Sequence, residues 1–574
     1  MSGNLQKREQ GSGMATITID GKAFEVENNL TIIQAARNNG IDIPHFCWHP
    51  NLSVAGNCRM CLVEVEKMPK LVIACSTQVT NGMIVHTANP RVVKARQAVM
   101  EFLLINHPLD CPICDEAGEC KLQDYAYTHS IGYSRFEEEK VHKPKRVELG
   151  PHVMLDNERC IMCSRCVRFC DEIAGKPQLT FTRRGDHVEL TTFPGEKLDN
   201  PYSMNVIDIC PVGALTSREF RFKARVWEMS ATETVCPGCA RGCNMNTWVR
   251  NNEILRQTPR YNAEVNQYWM CDWGRLETLR QVNSDARIRG PLMRKEGGVV
   301  EVGWDEAVGR VASELKSFRK GEVAVLGSAF DTNEDNYALQ KFAREVLQTR
   351  HLDFKRHTTP GNEDKLLISA DRTPNSRGAL EVGLQPGEHG ANTEGIIRGI
   401  KDGSIKALFL ADDNIAIDPE VAQSLIRLEF LVVLASVENE TTRLADIVLP
   451  SSTYAEKNGT FTNLQGRVQR IRPSVATLEQ ERSLDGFAMS RLDKLGSQFD
   501  RWAKGPKRDA RPPWRIIAGI AVLMGAKFKY QTSEDVFGEI ASHVDAFNGM
   551  SYRKLGNRGT LLKTSRDLRV PLPA

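Results

Sequence analysis

The sequence predicts a multidomain protein in which small α+β segments precede a larger α/β domain. Its 574 residues far exceed the roughly 100 to 200 residues of one ordinary domain. Apolar and polar residues alternate over 15–28 around Asp20-Gly21, which predicts a β-hairpin. Beyond residue 286, strand-like runs alternate with helical stretches, as in a doubly wound sheet. Between these regions lie all 16 cysteines, from Cys47 to Cys271.

Periodicity predicts the other elements of the N-terminal part. The first 90 residues contain one amphipathic helix and two further strands, and a longer helix leads into a cysteine-rich turn. The charged segment 135–140 is predicted to be an exposed linker. The predicted helices are 30–39 and 91–105, and the predicted strands are 62–66 and 71–73.

The C-terminal half shows the βα alternation of a mostly parallel sheet. A basic, proline-rich linker is predicted at 501–513, followed by a helical segment at 514–547. The predicted strands are 323–326, 407–410, 430–434 and 447–449, and the predicted helices are 306–318, 335–346 and 419–427.

Composition excludes some functional classes. Lysine and arginine total 75 against 72 acidic residues, a formal charge of +3, so no basic excess indicates nucleic-acid binding. No run of 18 apolar residues is present, so no membrane span is predicted. The N-terminus shows no secretory signal, and so many cysteines in a reducing compartment indicate metal binding rather than disulfides.

The first cysteine set has one close pair and two outlying members. This is the plant-type [2Fe–2S] pattern, although the first gap holds ten residues rather than four. A zinc site is the alternative, but it usually has two close pairs. The predicted ligands are Cys47, Cys58, Cys61 and Cys75.

The second set has three closely spaced cysteines and needs a fourth ligand for a [4Fe–4S] cluster. His107 lies four residues upstream of Cys111 and is the predicted fourth ligand, since no spare cysteine is nearby. A surface or core histidine is the alternative interpretation. The predicted ligands are His107, Cys111, Cys114 and Cys120.

The third set resembles half of a two-cluster bacterial ferredoxin. In that pattern the fourth cysteine of each run binds the other cluster. The second copy has lost three cysteines, at Val206, Ser203 and Asn200, so only one [4Fe–4S] cluster is expected. Cys170 is then left without a cluster. The predicted ligands are Cys160, Cys163, Cys166 and Cys210.

The fourth set again has [4Fe–4S] spacing, with zinc as the alternative. It comprises Cys236, Cys239, Cys243 and Cys271. No G-x-G-x-x-G motif follows a strand and no P-loop is present. The sequence therefore predicts neither a complete NADH or quinone site nor a catalytic residue in this chain.

The order of these sites, followed by an α/β domain, resembles the large iron–sulfur subunit of respiratory NADH:quinone oxidoreductase, which is the 75-kDa-type or G-type component of complex I. The segments 57–65, 107–120 and 159–166 match its motifs closely. The fourth site is typical of bacterial members. The likeness covers nearly the whole chain.

The resemblance implies an electron-relay subunit of an oxidoreductase that acts as a translocase. Its implied cofactors are one [2Fe–2S] and three [4Fe–4S] clusters. Its implied partners are the flavoprotein subunit that binds FMN and NADH, the next iron–sulfur subunit, and other peripheral-arm subunits. The implied location is peripheral, at the cytoplasmic face of the bacterial inner membrane.

The resemblance also implies five domains. They are a β-grasp [2Fe–2S] ferredoxin domain at 14–90, a His-plus-three-Cys segment at 91–130, a ferredoxin-like [4Fe–4S] domain at 150–222, a bis-pterin-type [4Fe–4S] domain at 229–285, and a molybdopterin-oxidoreductase-like α/β domain at 286–574.

Three alternatives stay open at this point. Segments 445–450 and 456–469 resemble those of molybdenum formate dehydrogenases. However, no cysteine follows Cys271 to bind molybdenum, and Trp273 replaces the lysine that those enzymes place after the last cluster cysteine, so we do not expect bound molybdopterin. The second alternative is the diaphorase arm of a NAD-reducing hydrogenase, and the third is an assembly scaffold with structural clusters. Iron-only hydrogenases are excluded because their catalytic cluster needs downstream cysteines.

Overall fold

A computed structural model describes residues 13–479 and 505–563. The chain divides into two compact units, Met1–Val226 and Trp227–Ala574. Both α and β elements occur in each, as the sequence predicts. In the described part of the chain, no helix is both long and apolar enough to cross a membrane.

The first unit begins with a five-stranded sheet of order β2-β1-β5-β3-β4. The predicted hairpin is present, with Met14 paired to Glu27 and Ile19 to Lys22. Asp20 and Gly21 both adopt positive φ in its turn. The strands of this unit are β1 Met14–Ile19, β2 Lys22–Glu27, β3 Leu62–Val65, β4 Val72–Ile73, β5 Ile84–His86, β6 Val147–Glu148, β7 Val153–Leu155, β8 Leu179–Thr182, β9 Glu189–Thr192 and β10 Leu215–Ser217.

Two smaller sheets follow in the same unit, β10-β7-β6 and the hairpin β8-β9. Helix α2 starts where predicted, since Asn89 caps it by accepting a hydrogen bond from Val92 N and Pro90 occupies its first turn. The helices of this unit are α1 Ile32–Asn38, α2 Pro90–Ile105, α3 Lys121–His129, α4 Arg165–Glu172 and α5 Asn205–Asp208.

The second unit contains a seven-stranded sheet of order β15-β14-β20-β19-β18-β16-β17. Its five strands from β16 to β20 are parallel, and β14 and β15 form an antiparallel edge. The strands of this unit are β11 Ser230–Val235, β12 Asn244–Arg250, β13 Glu253–Pro259, β14 Leu292–Lys295, β15 Gly298–Glu301, β16 Val323–Ser328, β17 Leu352–Lys355, β18 Ala407–Ala411, β19 Phe430–Ala435, β20 Ile447–Pro450, β21 Gly459–Thr462, β22 Arg467–Ile471 and β23 Thr560–Leu561.

Both faces of the large sheet are buried, because side chains alternate between two hydrophobic cores. Phe409 and Val432 belong to one core, whereas Leu408 and Leu410 belong to the other. Continuous apolar strands of this kind are typical of parallel sheets covered by helices on both faces. The helices of this unit are α6 Asp272–Asn283, α7 Trp304–Ser317, α8 Asn333–Lys341, α9 Ser376–Glu381, α10 Thr393–Asp402, α11 Pro419–Leu425, α12 Glu440–Leu444, α13 Pro513–Leu523, α14 Ser533–His543 and α15 Tyr552–Leu555.

Two predicted helices differ in detail. The helix predicted at 335–346 is found as α8, which continues directly into a π-helical turn, Phe342–Val346. The segment predicted at 514–547 forms two helices, α13 and α14, because Gly525 adopts a left-handed conformation with φ of 94° just after α13. The linker predicted at 501–513 lies partly outside the described residues.

Candidate iron–sulfur sites

The first cysteine set forms two thiol pairs beside the five-stranded sheet. Hydrogen bonding joins Cys47 to Cys58 and Cys61 to Cys75. The backbone N–H of Cys47 also donates to Cys58 Sγ at 3.4 Å. Arg59, with a positive φ of 59°, turns the chain between the two pairs. The first set therefore presents two pairs of thiols, and the two pairs are adjacent.

Two thiol pairs suit two metal ions better than one. A structural zinc ion needs four ligands converging on a single point. Each iron of a [2Fe–2S] cluster takes two cysteines. The pairing of Cys47 with Cys58 and of Cys61 with Cys75 fits that cluster.

The third set surrounds one small cavity in the first unit. Cys160, Cys163, Cys166 and Cys210 all line it, together with apolar side chains and Arg165. Burial raises the pKa of Cys166 and of Cys210 well above the usual range. Four thiolates would therefore be costly here without bound cations, and bound iron would supply the required positive charge.

Cys170 behaves differently from the four cavity thiols. It lies on α4, is fully buried and is absent from the cavity lining. Burial raises the pKa of the Cys170 thiol to about 12, so it stays protonated at neutral pH. This placement fits a thiol that binds no cluster, and both that role and the ligand assignment of the third set stay predictions.

The second set packs against the loop that carries Cys210. The Cys120 thiol lies 3.9 Å from the carbonyl oxygen of Pro211. A Cβ atom added to Gly213 would lie only 2.2 Å from Cys114 Sγ. Only glycine leaves room for the thiol at this position, so Gly213 forms part of the wall around the second set.

His107 follows the end of α2 and precedes this set. Burial lowers the pKa of His107 to about 4, with Arg159 and Lys140 acting in the same direction. The ring is therefore neutral at pH 7, the form that binds a metal ion. Arg159 also acts electrostatically on Cys114, so both potential ligands share one charged neighbour. Iron binding by His107 stays a prediction.

The fourth set belongs to the second unit. Cys236, Cys239 and Cys243 occupy the loop between β11 and β12, and Cys271 caps α6. All four line one small cavity. A Cβ atom on Gly274 would lie 3.0 Å from Cys236 Sγ and 3.2 Å from Cys271 Sγ. The close packing of these thiols around a cavity fits a [4Fe–4S] cluster.

Two arginines of α4 join the first set to the third. Arg168 Nη2 donates to the carbonyl oxygens of Cys47 at 2.5 Å and Cys163 at 3.5 Å. Arg165 donates to the carbonyls of Trp48 and Ile209, which are sequence neighbours of Cys47 and Cys210. The ligand loops of the two sets are therefore directly bonded to one another.

The third set also contacts the second through residues next to ligands. Besides the Cys210–Gly213 loop, Arg159 donates two hydrogen bonds to Asp110, the residue before Cys111. By contrast, the first and second sets are linked through Tyr125, five residues beyond Cys120, whose hydroxyl accepts from His45 N at 3.4 Å. The sets thus contact one another in the order first, third, second, which differs from their order along the chain.

A larger cavity of about 480 Å³ lies in the second unit, at the carboxyl edge of the parallel strands. Residues following β16 and β18, on either side of the point where the strand order reverses, line it. Open α/β sheets bind ligands at such a point. Trp273 lines both this cavity and that of the fourth cysteine set.

The polar groups of the larger cavity are largely paired within the chain, because burial raises the pKa of Asp331 and Asp412, which hydrogen-bond to each other, and Asp413 contacts His357 at 2.9 Å. The lining of the cavity includes four carboxylates and two lysines. Lys457 is held by Asp331 at 2.8 Å and by Asp335 at 2.7 Å, so its charge is already neutralised. The lining acids are Asp331, Asp412, Asp413 and Glu277, and the lining lysines are Lys355 and Lys457.

Sequence analysis missed the residues that surround the cysteines. Arg165, Arg168 and Gly213 lie within one to three residues of ligands, but no spacing rule marks them. The acidic residues of the cavity follow strands, and Asp412-Asp413 directly after an apolar run was an available signal for the carboxyl edge of a sheet.

Five family models match successive parts of the chain. They are a 2Fe-2S iron–sulfur cluster binding domain (12–90), an NADH-ubiquinone oxidoreductase-G iron–sulfur binding region (96–135), the ferredoxin-like domain of NADH-quinone oxidoreductase subunit 3 (150–216), a molybdopterin oxidoreductase Fe4S4 domain (229–282) and a molybdopterin oxidoreductase domain (351–484). The predicted fold class is confirmed. The chain is thus similar to multi-site iron–sulfur proteins with a molybdopterin-oxidoreductase-type domain.

Named relatives narrow this class. The NADH-quinone oxidoreductase G subunit of Rickettsia bellii is 42% identical over 60% of this chain and 51% of its own length. The G subunit from Streptomyces coelicolor is 41% identical over 62% of this chain and 42% of its own length. The mitochondrial 78 kDa subunit of NADH-ubiquinone oxidoreductase from Neurospora crassa is 45% identical over 52% and 40%, respectively.

The chain is therefore a homologue of the G subunit of NADH-quinone oxidoreductase, and the predicted resemblance is confirmed. It spans about half the length, or less, of the curated relatives that it matches. A solved structure of a NAD+-reducing [NiFe]-hydrogenase is 30% identical and covers 37% of this chain and 91% of the other, with a TM-score of 0.34.

Replacing Cys170 tests the assignment of the third set. Cys170→Ser should leave the electron paramagnetic resonance (EPR) signals of all clusters intact, because this thiol does not line the cavity. The matched change Cys210→Ser should remove one signal and about four iron atoms per chain. Loss of the same signal in Cys170→Ser, with Cys210→Ser unaffected, would contradict the assignment.

Replacing His107 tests the second set. His107→Ala should alter only one [4Fe–4S] signal, because the imidazole is predicted to bind one iron of that cluster. His129→Ala on α3 is the control, since that ring packs against Tyr125 and is not a predicted ligand. EPR spectra of the reduced, oxygen-free protein provide the readout. An unchanged spectrum for His107→Ala would remove this residue from the ligand set.

Proposed function

We propose that this chain is the electron-relay iron–sulfur subunit of an NADH:quinone oxidoreductase. The observation that carries the proposal is that the three N-terminal cysteine sets contact one another in the order first, third, second. These contacts are made by ligand residues and their sequence neighbours. Bound iron–sulfur clusters accept and release single electrons without bond chemistry. What the chain supplies is their spacing, their burial and the charges around them.

Within this proposal, one [2Fe–2S] cluster is held by the first set and one [4Fe–4S] cluster by each of the others. The third site lies between the first and the second on the path. Electron transfer depends on close approach, and the contacts through Arg168 and through the Cys210–Gly213 loop bring these sites together. The fourth set belongs to the other unit, and we assign it no place on the path.

The proposed partners follow from the names of the relatives and from the lack of a nucleotide-binding motif in the sequence. Electrons would enter from a flavoprotein subunit that binds NADH and leave to another iron–sulfur subunit of the peripheral arm. We place the complex at the cytoplasmic face of the bacterial inner membrane. The whole assembly, rather than this chain alone, would carry out NADH oxidation and quinone reduction.

The molybdenum alternative is less favoured on physical grounds. The buried lysine of the larger cavity, Lys457, is already paired with Asp331 and Asp335. An anionic pterin would therefore find this lysine's charge already neutralised. The diaphorase arm of a hydrogenase is also less favoured, because the named relatives are subunits of NADH-quinone oxidoreductases.

Metal content tests this proposal. Protein purified without oxygen should contain about 14 iron atoms per chain, from one [2Fe–2S] and three [4Fe–4S] clusters, and no molybdenum. Iron, acid-labile sulfide and molybdenum are measured on the same sample, which is then titrated with dithionite. Stoichiometric molybdenum would contradict the proposal, as would N-terminal clusters that never change redox state near the NADH potential.

A further inference from the structure

Arg165 is a buried cation without a carboxylate partner. It starts α4, is 5% exposed and lines the cavity of the third cysteine set. Its guanidinium donates to the carbonyl oxygens of Ile209 at 3.1 Å and Trp48 at 2.5 Å, while its Nε atom is buried without a hydrogen-bond partner. In the part of the chain that the structure describes, no carboxylate lies within ion-pair distance of it.

Burial of an unpaired charge is costly, so a balancing negative charge is expected nearby. The cysteines around Arg165 are Cys163 and Cys210, which line the same cavity, and Cys47, the sequence neighbour of Trp48, whose carbonyl oxygen accepts from Arg165. Two of these belong to the third set and one belongs to the first. As iron ligands, all three would be thiolates.

Arg168 lies one turn further along α4 and reaches the same loops. Besides the carbonyls of Cys47 and Cys163, its guanidinium donates to the Ser164 hydroxyl at 3.2 Å and to the Ser53 carbonyl. All four acceptors are neutral groups, so its charge is also left without a bonded anion in the described chain. Two positive charges thus lie between two sites that would each bind an anionic cluster.

We propose that Arg165, assisted by Arg168, provides the countercharge shared by the first and third clusters and raises the reduction potentials of both. Reduction adds one negative charge to a cluster, and a fixed cation nearby favours that state. Both arginines would act on the clusters through their charge, since they contact the ligand loops rather than the iron. This inference rests on the proposed function, because it requires clusters at both sites.

A purely structural clamp is the competing explanation, since both arginines bridge carbonyl groups. Charge and bridging geometry can be separated at position 165. Arg165→Gln keeps an amide donor but removes the charge, whereas Arg165→Lys keeps the charge but loses the planar fork. Arg218→Gln is the control, because Arg218 forms an exposed ion pair with Glu148 in the same unit.

The test is an EPR-monitored redox titration of the oxygen-free, cluster-loaded protein. Arg165→Gln should lower the equilibrium constant for reduction of the first and third clusters about tenfold, equivalent to a fall in potential of about 59 mV for one electron. Arg165→Lys and Arg218→Gln should stay close to the wild type. Unchanged potentials in Arg165→Gln, or an equal fall in Arg165→Lys, would overturn the inference.

A second variant covers the case in which Arg165→Gln fails to assemble its clusters. Arg168→Gln removes the more accessible charge and should lower the same two potentials by a smaller amount. Unchanged potentials in that variant would then overturn the inference. Wild-type protein without clusters at the first and third sites would instead refute the proposed function, so the two failures are distinguishable.

Discussion

The loop from Cys210 to Gly213 is the constraint on which the arrangement of the N-terminal unit depends. It contributes one thiol to the third set, and its Pro211 carbonyl contacts the Cys120 thiol of the second set. At Gly213 any side chain would collide with Cys114 Sγ. A single short segment therefore fixes the distance between two sites and leaves little room for either to shift.

The packing of these loops places thiols and arginines where their charges need a balancing partner. Burial raises the pKa of the four cysteines of the third set and of Cys236, Cys243 and Cys271 in the fourth, so these thiols need metal cations in order to ionise. With the proposed clusters bound, the sites would be anionic, and the positive charge of the arginines on α4 would be favourable rather than costly. We therefore expect folding of the loops, binding of iron and burial of positive charge to be coupled, as in other proteins whose metal sites contribute to folding.

The sequence was sufficient for much of the fold because its patterns are local. Alternation around Asp20-Gly21 predicted the hairpin, and apolar runs predicted strands buried on both faces. Cysteine spacing predicted four sets because each contains a pair of cysteines separated by two residues. The order in which the sets contact one another could not be predicted, since it depends on Arg168 reaching the Cys47 carbonyl and on Gly213 reaching Cys114, and such long-range packing leaves no periodic signal.

The C-terminal unit shows a similar division between local and long-range information. Strand-like runs predicted the parallel sheet, yet the chemistry of its cavity depends on Lys457 reaching Asp331 and Asp335, more than 100 positions earlier in the chain. The family models match this part to molybdopterin oxidoreductases, whereas the buried lysine of the cavity is already paired with two carboxylates of the chain. Fold and ligand are separable properties here.

The order in which the three sets contact one another is tested most directly by magnetic coupling between clusters. In partly reduced, oxygen-free protein, pulsed EPR measures how strongly each paramagnetic cluster accelerates the spin relaxation of the others. The account predicts that the third cluster couples to both the first and the second, and that these two couple more weakly to each other. Stronger coupling between the first and second clusters than between either one and the third would contradict it.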